Sequence, residues 1–174
     1  LSNTRVAGDY YSKVVKRLQS SSFKISADVR FRDQSFTYVA QKTAFRSERG
    51  GFVGTFFVFA ELEDLDLTTL RHYSRKGFGY ACRRCRIPLP PGFGRCIECY
   101  SVALTRGVAG AVAETMRTTE PPRHWAAAEI PVICDLGTRQ LYYFEGTPLW
   151  RSLYWDDNRE TIMKMLNPCD QNQA

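Results

Sequence analysis

Residues 23–60 read FKISADVRFRDQSFTYVAQKTAFRSERGGFVGTFFVFA and hold three strands in one run. Phe23, Ile25, Ala27, Val29 and Phe31 alternate with Lys24, Ser26, Asp28 and Arg30. That period of two gives a strand one dry face and one wet face. Arg32-Asp33-Gln34-Ser35 has turn chemistry, and a second strand follows from Phe36 through Tyr38 and Ala40 towards Phe45. Gly50-Gly51 accepts the positive φ that a tight hairpin demands. Phe52 to Ala60 is apolar on both faces, as a central, doubly covered strand is. Three strands joined by two short turns predict an antiparallel meander.

The flanking sequence alternates helices with shorter strands. Tyr11, Val14, Val15 and Leu18 fall at i, i+3, i+4 and i+7, one helical face, with Asp9 as its cap and Ser20-Ser21-Ser22 as its end. Beyond the meander, Asp64 or Asp66 caps a helix carrying Leu67, Leu70 and Tyr73, whose last turn Gly77 and Gly79 weaken. A short strand at 101–105 and a helix at 108–118 follow. A hairpin then pairs 130–134 with 140–144. Asp157 with Glu160 resembles a capping box opening a final helix, which Asn167-Pro168 stops. This order predicts a single α+β domain over 1–174. Its core is one mostly antiparallel sheet with flanking helices, carrying a small four-cysteine zinc-binding excursion at 82–99.

Composition sets the class. A chain of 174 residues, 44% hydrophobic and 24% charged, matches one globular domain with its own core. The longest apolar run, Phe52 to Ala60, is far short of the roughly 20 residues a membrane helix needs, so no membrane association is expected. No basic segment followed by an apolar core opens the chain, and four of the six cysteines crowd into one short stretch. Both features predict a cytoplasmic protein and not a disulfide scaffold.

Cys82, Cys85, Cys96 and Cys99 have the pattern C-x₂-C-x₁₀-C-x₂-C. Two such knuckles can supply four thiolates at about 2.3 Å around one tetrahedral ion, and Pro88 to Gly94 has the turning composition to join them. Soft sulfur donors select zinc, with iron as the alternative. Two disulfides or a redox dithiol explain the double pair less well. Four sulfurs fill the coordination sphere, so the predicted site is structural.

The formal charge of +6 is local. Residues 71–106 hold eight Lys and Arg against the single acid Glu98, a net of +7. A thiolate-bound zinc accounts for part of that excess, since arginines around it offset its charge. The functional reading is a nucleic-acid contact through Arg75, Lys76, Arg83, Arg84, Arg86 and Arg95, with neighbouring aromatic rings as stacking planes. An acidic protein partner fits the same charge.

Other residue groups have weaker chemistry. Glu61, Glu63, Asp64 and Asp66 can bind a divalent ion for hydrolysis or nuclease chemistry, against the simpler reading of helix capping. His72 and His124 are the two histidines, and His124 with Cys134 is a conceivable nucleophile pair. The aromatics from Tyr142 to Trp155 can pack the core or join two copies into a homo-oligomer. No G-x-S-x-G elbow or phosphate loop is present in the sequence. The leading expectation is a non-enzymatic zinc-binding module that docks nucleic acid or an acidic protein. A metal-dependent hydrolase and a structural subunit are the alternatives.

Overall fold

The computed structural model describes residues 2–148 and 152–169. In chain order the elements are α1 (Ser2–Ser20), β1 (Lys24–Phe31), β2 (Gln34–Arg46), β3 (Gly51–Glu61), α2 (Leu67–Arg84), β4 (Arg95–Thr105), α3 (Gly110–Thr118), β5 (Arg123–His124), β6 (Ala127–Asp135), β7 (Gln140–Tyr142) and α4 (Ser152–Leu166). The strands form one sheet in the order β1-β2-β3-β4-β6-β5, with β7 also paired to β6. Four of the six pairings are antiparallel, and the fold is α+β with a mostly antiparallel open sheet and flanking helices. The meander forms as its turns require. β3 pairs with β4, and β4 with β6, in parallel.

A parallel pair needs a crossover, and α2 and α3 supply the two crossovers on one face of the sheet. That face holds Phe56, Val58, Ile97, Cys99 and Ile133 against Leu70, Tyr73, Tyr80 and Met116. On the opposite face α1 and α4 bury Tyr10, Val14, Leu18, Trp155 and Ile162 against Phe57, Phe59, Tyr100, Val102 and Ile130. The central strands are therefore covered on both sides, which is why β3 has no wet face.

Helix α2 lies unusually close to the sheet. A Cβ on Gly77 would stand 2.6 Å from Val58 Cγ2 and 2.8 Å from Ser101 Oγ, so only glycine permits this approach. One turn earlier the Tyr73 hydroxyl lies 2.9 Å from the Val58 carbonyl and 3.1 Å from that of Val102, bridging β3 and β4. Gly77 and Gly79, expected to weaken the last turn, lie inside the helix, where packing outweighs a propensity cost of about 1 kcal/mol each. The helix runs on to Arg84 and takes Cys82 with it.

Of the two candidate caps Asp66 serves α2, accepting from the Thr69 backbone N–H at 2.6 Å. That bond holds its carboxyl below the usual range. Asp9 and Asp157 lie inside helices that start earlier than their capping chemistry suggests. The apolar row of β1 is not one dry face. Phe23 and Ile25 pack beside α1, whereas Val29 and Phe31 pack with the α2 face. Asp28 stands between them at φ 50°, and the β1–β2 ladder skips it.

Gly77→Ala is expected to destabilise the protein by about 1–3 kcal/mol through overpacking. Gly79, whose nearest obstacle is Phe31 at 3.8 Å, is the control. Gly79→Ala should be neutral or gain up to about 1 kcal/mol of helix propensity. Urea denaturation of both variants checks the pair.

Candidate functional site

The two cysteine pairs sit in different kinds of backbone. Cys82 and Cys85 close α2, with Cys85 as its C-cap. Cys96 and Cys99 lie within β4, where the ladder to β3 runs unbroken through Val53↔Cys96 and Phe56↔Cys99. In a strand, residues three apart point to opposite faces and stand about 10 Å apart along the chain. Cys99 accordingly joins the α2 face with Cys82 and Cys85. Cys96 shares the parity of Glu98 and Tyr100, the latter packed in the opposite core. The four sulfurs are not brought to one point. Among the described residues no group of three or more His, Cys, Asp or Glu is placed to hold a metal ion. The reason is local: a thiolate knuckle needs a turn at each C-x₂-C, and here one pair is helical and the other fully extended.

The six cysteines are free thiols. Burial pushes the Cys99 thiol far above its ordinary value. Cys134 is pushed up to about 12 by burial in the α1 face. Cys82 is raised less, being half-buried and near the Arg95 guanidinium. Gly54 makes room for Cys85, because a Cβ there would lie 2.8 Å from its sulfur.

The cations of the basic segment diverge. Lys76 is bound to Asp33 at 2.5 Å, beside the β1–β2 turn. Arg75 lines a small cavity between α2 and α3 with Arg71. Arg83 is exposed at the end of α2. Arg84 and Arg86 line a cavity of about 360 Å³ with Lys24, whereas the Lys42 ammonium beside it turns to the α1 face and donates to the Ser21 carbonyl at 2.8 Å. Arg95, at the start of β4, lines a separate cavity of about 520 Å³.

That larger cavity opens at the end of the sheet where β3 and β4 begin. Arg49, Arg95 and Arg123 line it with Trp125, Tyr154 and Phe52, and no carboxylate is among its lining residues. The Arg49 side chain is only 3% exposed, and its guanidinium is 3.0 Å from buried Glu98. The Tyr154 ring covers it, 3.9 Å from ring centroid to guanidinium carbon. Nε of Arg49 and Nε of Arg95 are buried without a hydrogen-bond partner among the described residues. Trp125 is 79% exposed and packs on Gly92, where a Cβ would stand 2.7 Å from the indole nitrogen. Phe93, next to Gly92, is 76% exposed.

His124 forms one wall and is held in place. Its Nε2 is 2.8 Å from Glu129, whose other oxygen accepts from the Ser74 hydroxyl at 2.8 Å. The Phe78 ring stacks on it at 4.1 Å. The carboxylate lies between serine and histidine, so the histidine is not placed to take the serine proton. Cys134 lies on the other face of the sheet near Tyr10, and the conceivable His124–Cys134 pair does not form. His72 is exposed beside Asp33 at 3.8 Å.

The acidic residues sit at the opposite end of the sheet. Asp66 is committed to the α2 cap, and Glu61, Glu63 and Asp64 are exposed. They form no ion-holding group. The late aromatics are mostly internal: Trp155 is fully buried, Tyr142 is buried, and Tyr143 and Phe144 pack on the same core as Trp155. Trp150 lies outside the described residues.

Sequence reasoning missed Arg49, Arg123 and Trp125 as site residues, and reached Tyr154 only as part of the aromatic run ending at Trp155. The Pro-Pro-Arg-His-Trp run at 121–125 was a usable signal, since a loop tryptophan beside an arginine is an unusual surface pair. Native thiol titration at pH 8 should label exposed Cys169 first and half-buried Cys82 and Cys96 more slowly. Cys85, Cys99 and Cys134 should react only on unfolding. Set against known proteins, the chain matches no family model, no curated protein and no solved structure.

Proposed function

We propose that this chain is a non-enzymatic binding module for single-stranded nucleic acid, which it takes at the end of the sheet where β3 and β4 begin. The observation that carries this reading is the cavity lined by three arginines and no carboxylate, with a tryptophan standing exposed at its mouth. Arginine presents a planar fork of donors that matches phosphate oxygens, and it stacks on flat rings. The Arg95 and Arg123 side chains line the cavity without a carboxylate beside them there. An acidic protein partner would satisfy the charge but gives no reason for Trp125 and Phe93 to remain in water. Unpaired bases do, because each has a face to stack.

Titration of a short oligothymidylate, followed by anisotropy, tests the proposal. Trp125→Ala should weaken binding by about 5- to 150-fold, the loss of a stacking contact of about 1–3 kcal/mol. Arg95→Ala and Arg123→Ala should each lower the salt slope of log K by about 0.7. Binding that is insensitive to salt and to Trp125 sinks the reading.

The cysteine spacing supports a second, structural reading. Cys82, Cys85 and Cys99 already share one face. A four-thiolate zinc or iron site needs Arg95 and Cys96 to leave the β3 ladder so that the fourth sulfur crosses over. With β4 paired along its whole length, a strong chelator should leave the melting temperature unchanged. Release of one zinc or iron per chain, with a fall in melting temperature, would instead require the rearranged strand.

A further inference from the structure

We infer that the cavity lined by Lys24, Arg84 and Arg86 is a second phosphate site, and that one nucleic-acid strand runs between it and the Trp125 cavity. This rests on the function proposed above and adds the minimum length and the path of the ligand.

Three observations carry it. First, the fold gathers three cations from separate places: Lys24 from β1, Arg84 from the last turn of α2, and Arg86 from the connection that follows. No carboxylate is among the ten residues lining that cavity, and Ser26, Thr43 and Gln41 add neutral donors. The end of a helix attracts cations, which explains Arg84 and Arg86 but not Lys24. Like charges held together repel unless an anion joins them. Phosphate oxygens supply that anion.

Second, the same connection walls both cavities. Its first residues, Cys85 and Arg86, line the lysine–arginine cavity, and Gly92 and Gly94 line the tryptophan cavity. The wall is fixed at both ends. Cys85 fills the space over Gly54, and Gly94 lies in direct contact with Gly51, its carbonyl accepting from Phe52 N–H at 2.8 Å.

Third, the spacing suits a short strand. From Lys24 on β1 to Arg95 on β4 the path crosses three strand spacings and runs four residues along β4, about 20 Å in all. A mononucleotide cannot occupy both cavities, whereas a strand of several nucleotides can.

Binding of thymidine monophosphate and of hexathymidylate, each to the wild type and to Arg84→Ala/Arg86→Ala, tests the path. The double variant should bind the hexamer about tenfold or more weakly, with a salt slope smaller by about 1.4, two phosphate contacts fewer. Its affinity for the monophosphate should be unchanged. Lys24→Ala, on a separate element, should repeat about half of the slope change. Unchanged hexamer affinity and slope in the double variant would overturn the second site while leaving the first intact. Failure of both ligands to bind the wild type would instead overturn the nucleic-acid reading itself. Inorganic tripolyphosphate separates the sources of phosphate. If it binds the wild type and not the double variant while hexamer binding ignores the variant, the cavity serves free polyphosphate and the strand path is wrong.

Discussion

The parallel pairing of β3 with β4 governs the rest of the molecule. Two parallel neighbours cannot be joined by a hairpin, so the chain must return the whole length of the sheet before β4 can start. Helix α2 makes that return, and its 18 residues cover about 27 Å of it. The Tyr73 hydroxyl between two strand carbonyls and the bare Cα of Gly77 fix its height above the sheet. One connection is thereby forced to each end. Residues 62–66 turn at one end, where Asp66 caps the helix, and residues 85–94 turn at the other, among arginines. The separation of charge along the molecule follows from topology, and a run of basic residues that looks continuous in sequence is divided by it among several surfaces.

The meander was legible because each of its strands advertises itself: alternation in β1, a glycine pair at the second turn, and unbroken apolar character in β3. The parallel partner of β3 was not legible. Cys96, Glu98 and Ser101 interrupt the apolar pattern of β4, so only 101–105 reads as a strand, whereas the ladder begins at Arg95. That shortfall has a direct cost for the cysteine reading. The C-x₂-C spacing assumes a turn at each pair, and a ladder that starts six residues earlier leaves no turn at the second pair. Spacing in sequence describes a metal site only when the backbone between the ligands is known. The pairing of Arg49 with Tyr154 was illegible for another reason: the two lie 105 residues apart and meet only through the packing of α4 on the sheet.

The Arg49–Glu98 pair is the most heavily desolvated charge contact described. Both side chains are almost wholly out of water, and the Arg49 guanidinium has a second, looser carboxylate in Asp157 at 3.7 Å. Such a pair adds little net stability compared with an apolar substitute, but it is directional. It holds one guanidinium rigidly under the Tyr154 ring.

Asp28 has a consequence beyond the packing of β1. The outer side of that strand is an open margin of the sheet, the kind of margin along which identical molecules zip into fibres. With its left-handed backbone in the middle, β1 offers an incoming strand four residues before the kink and three after it. Neither run is long enough to seed a stable stack, so one aspartate that switches apolar side chains between two faces also guards the chain against polymerising through its own border.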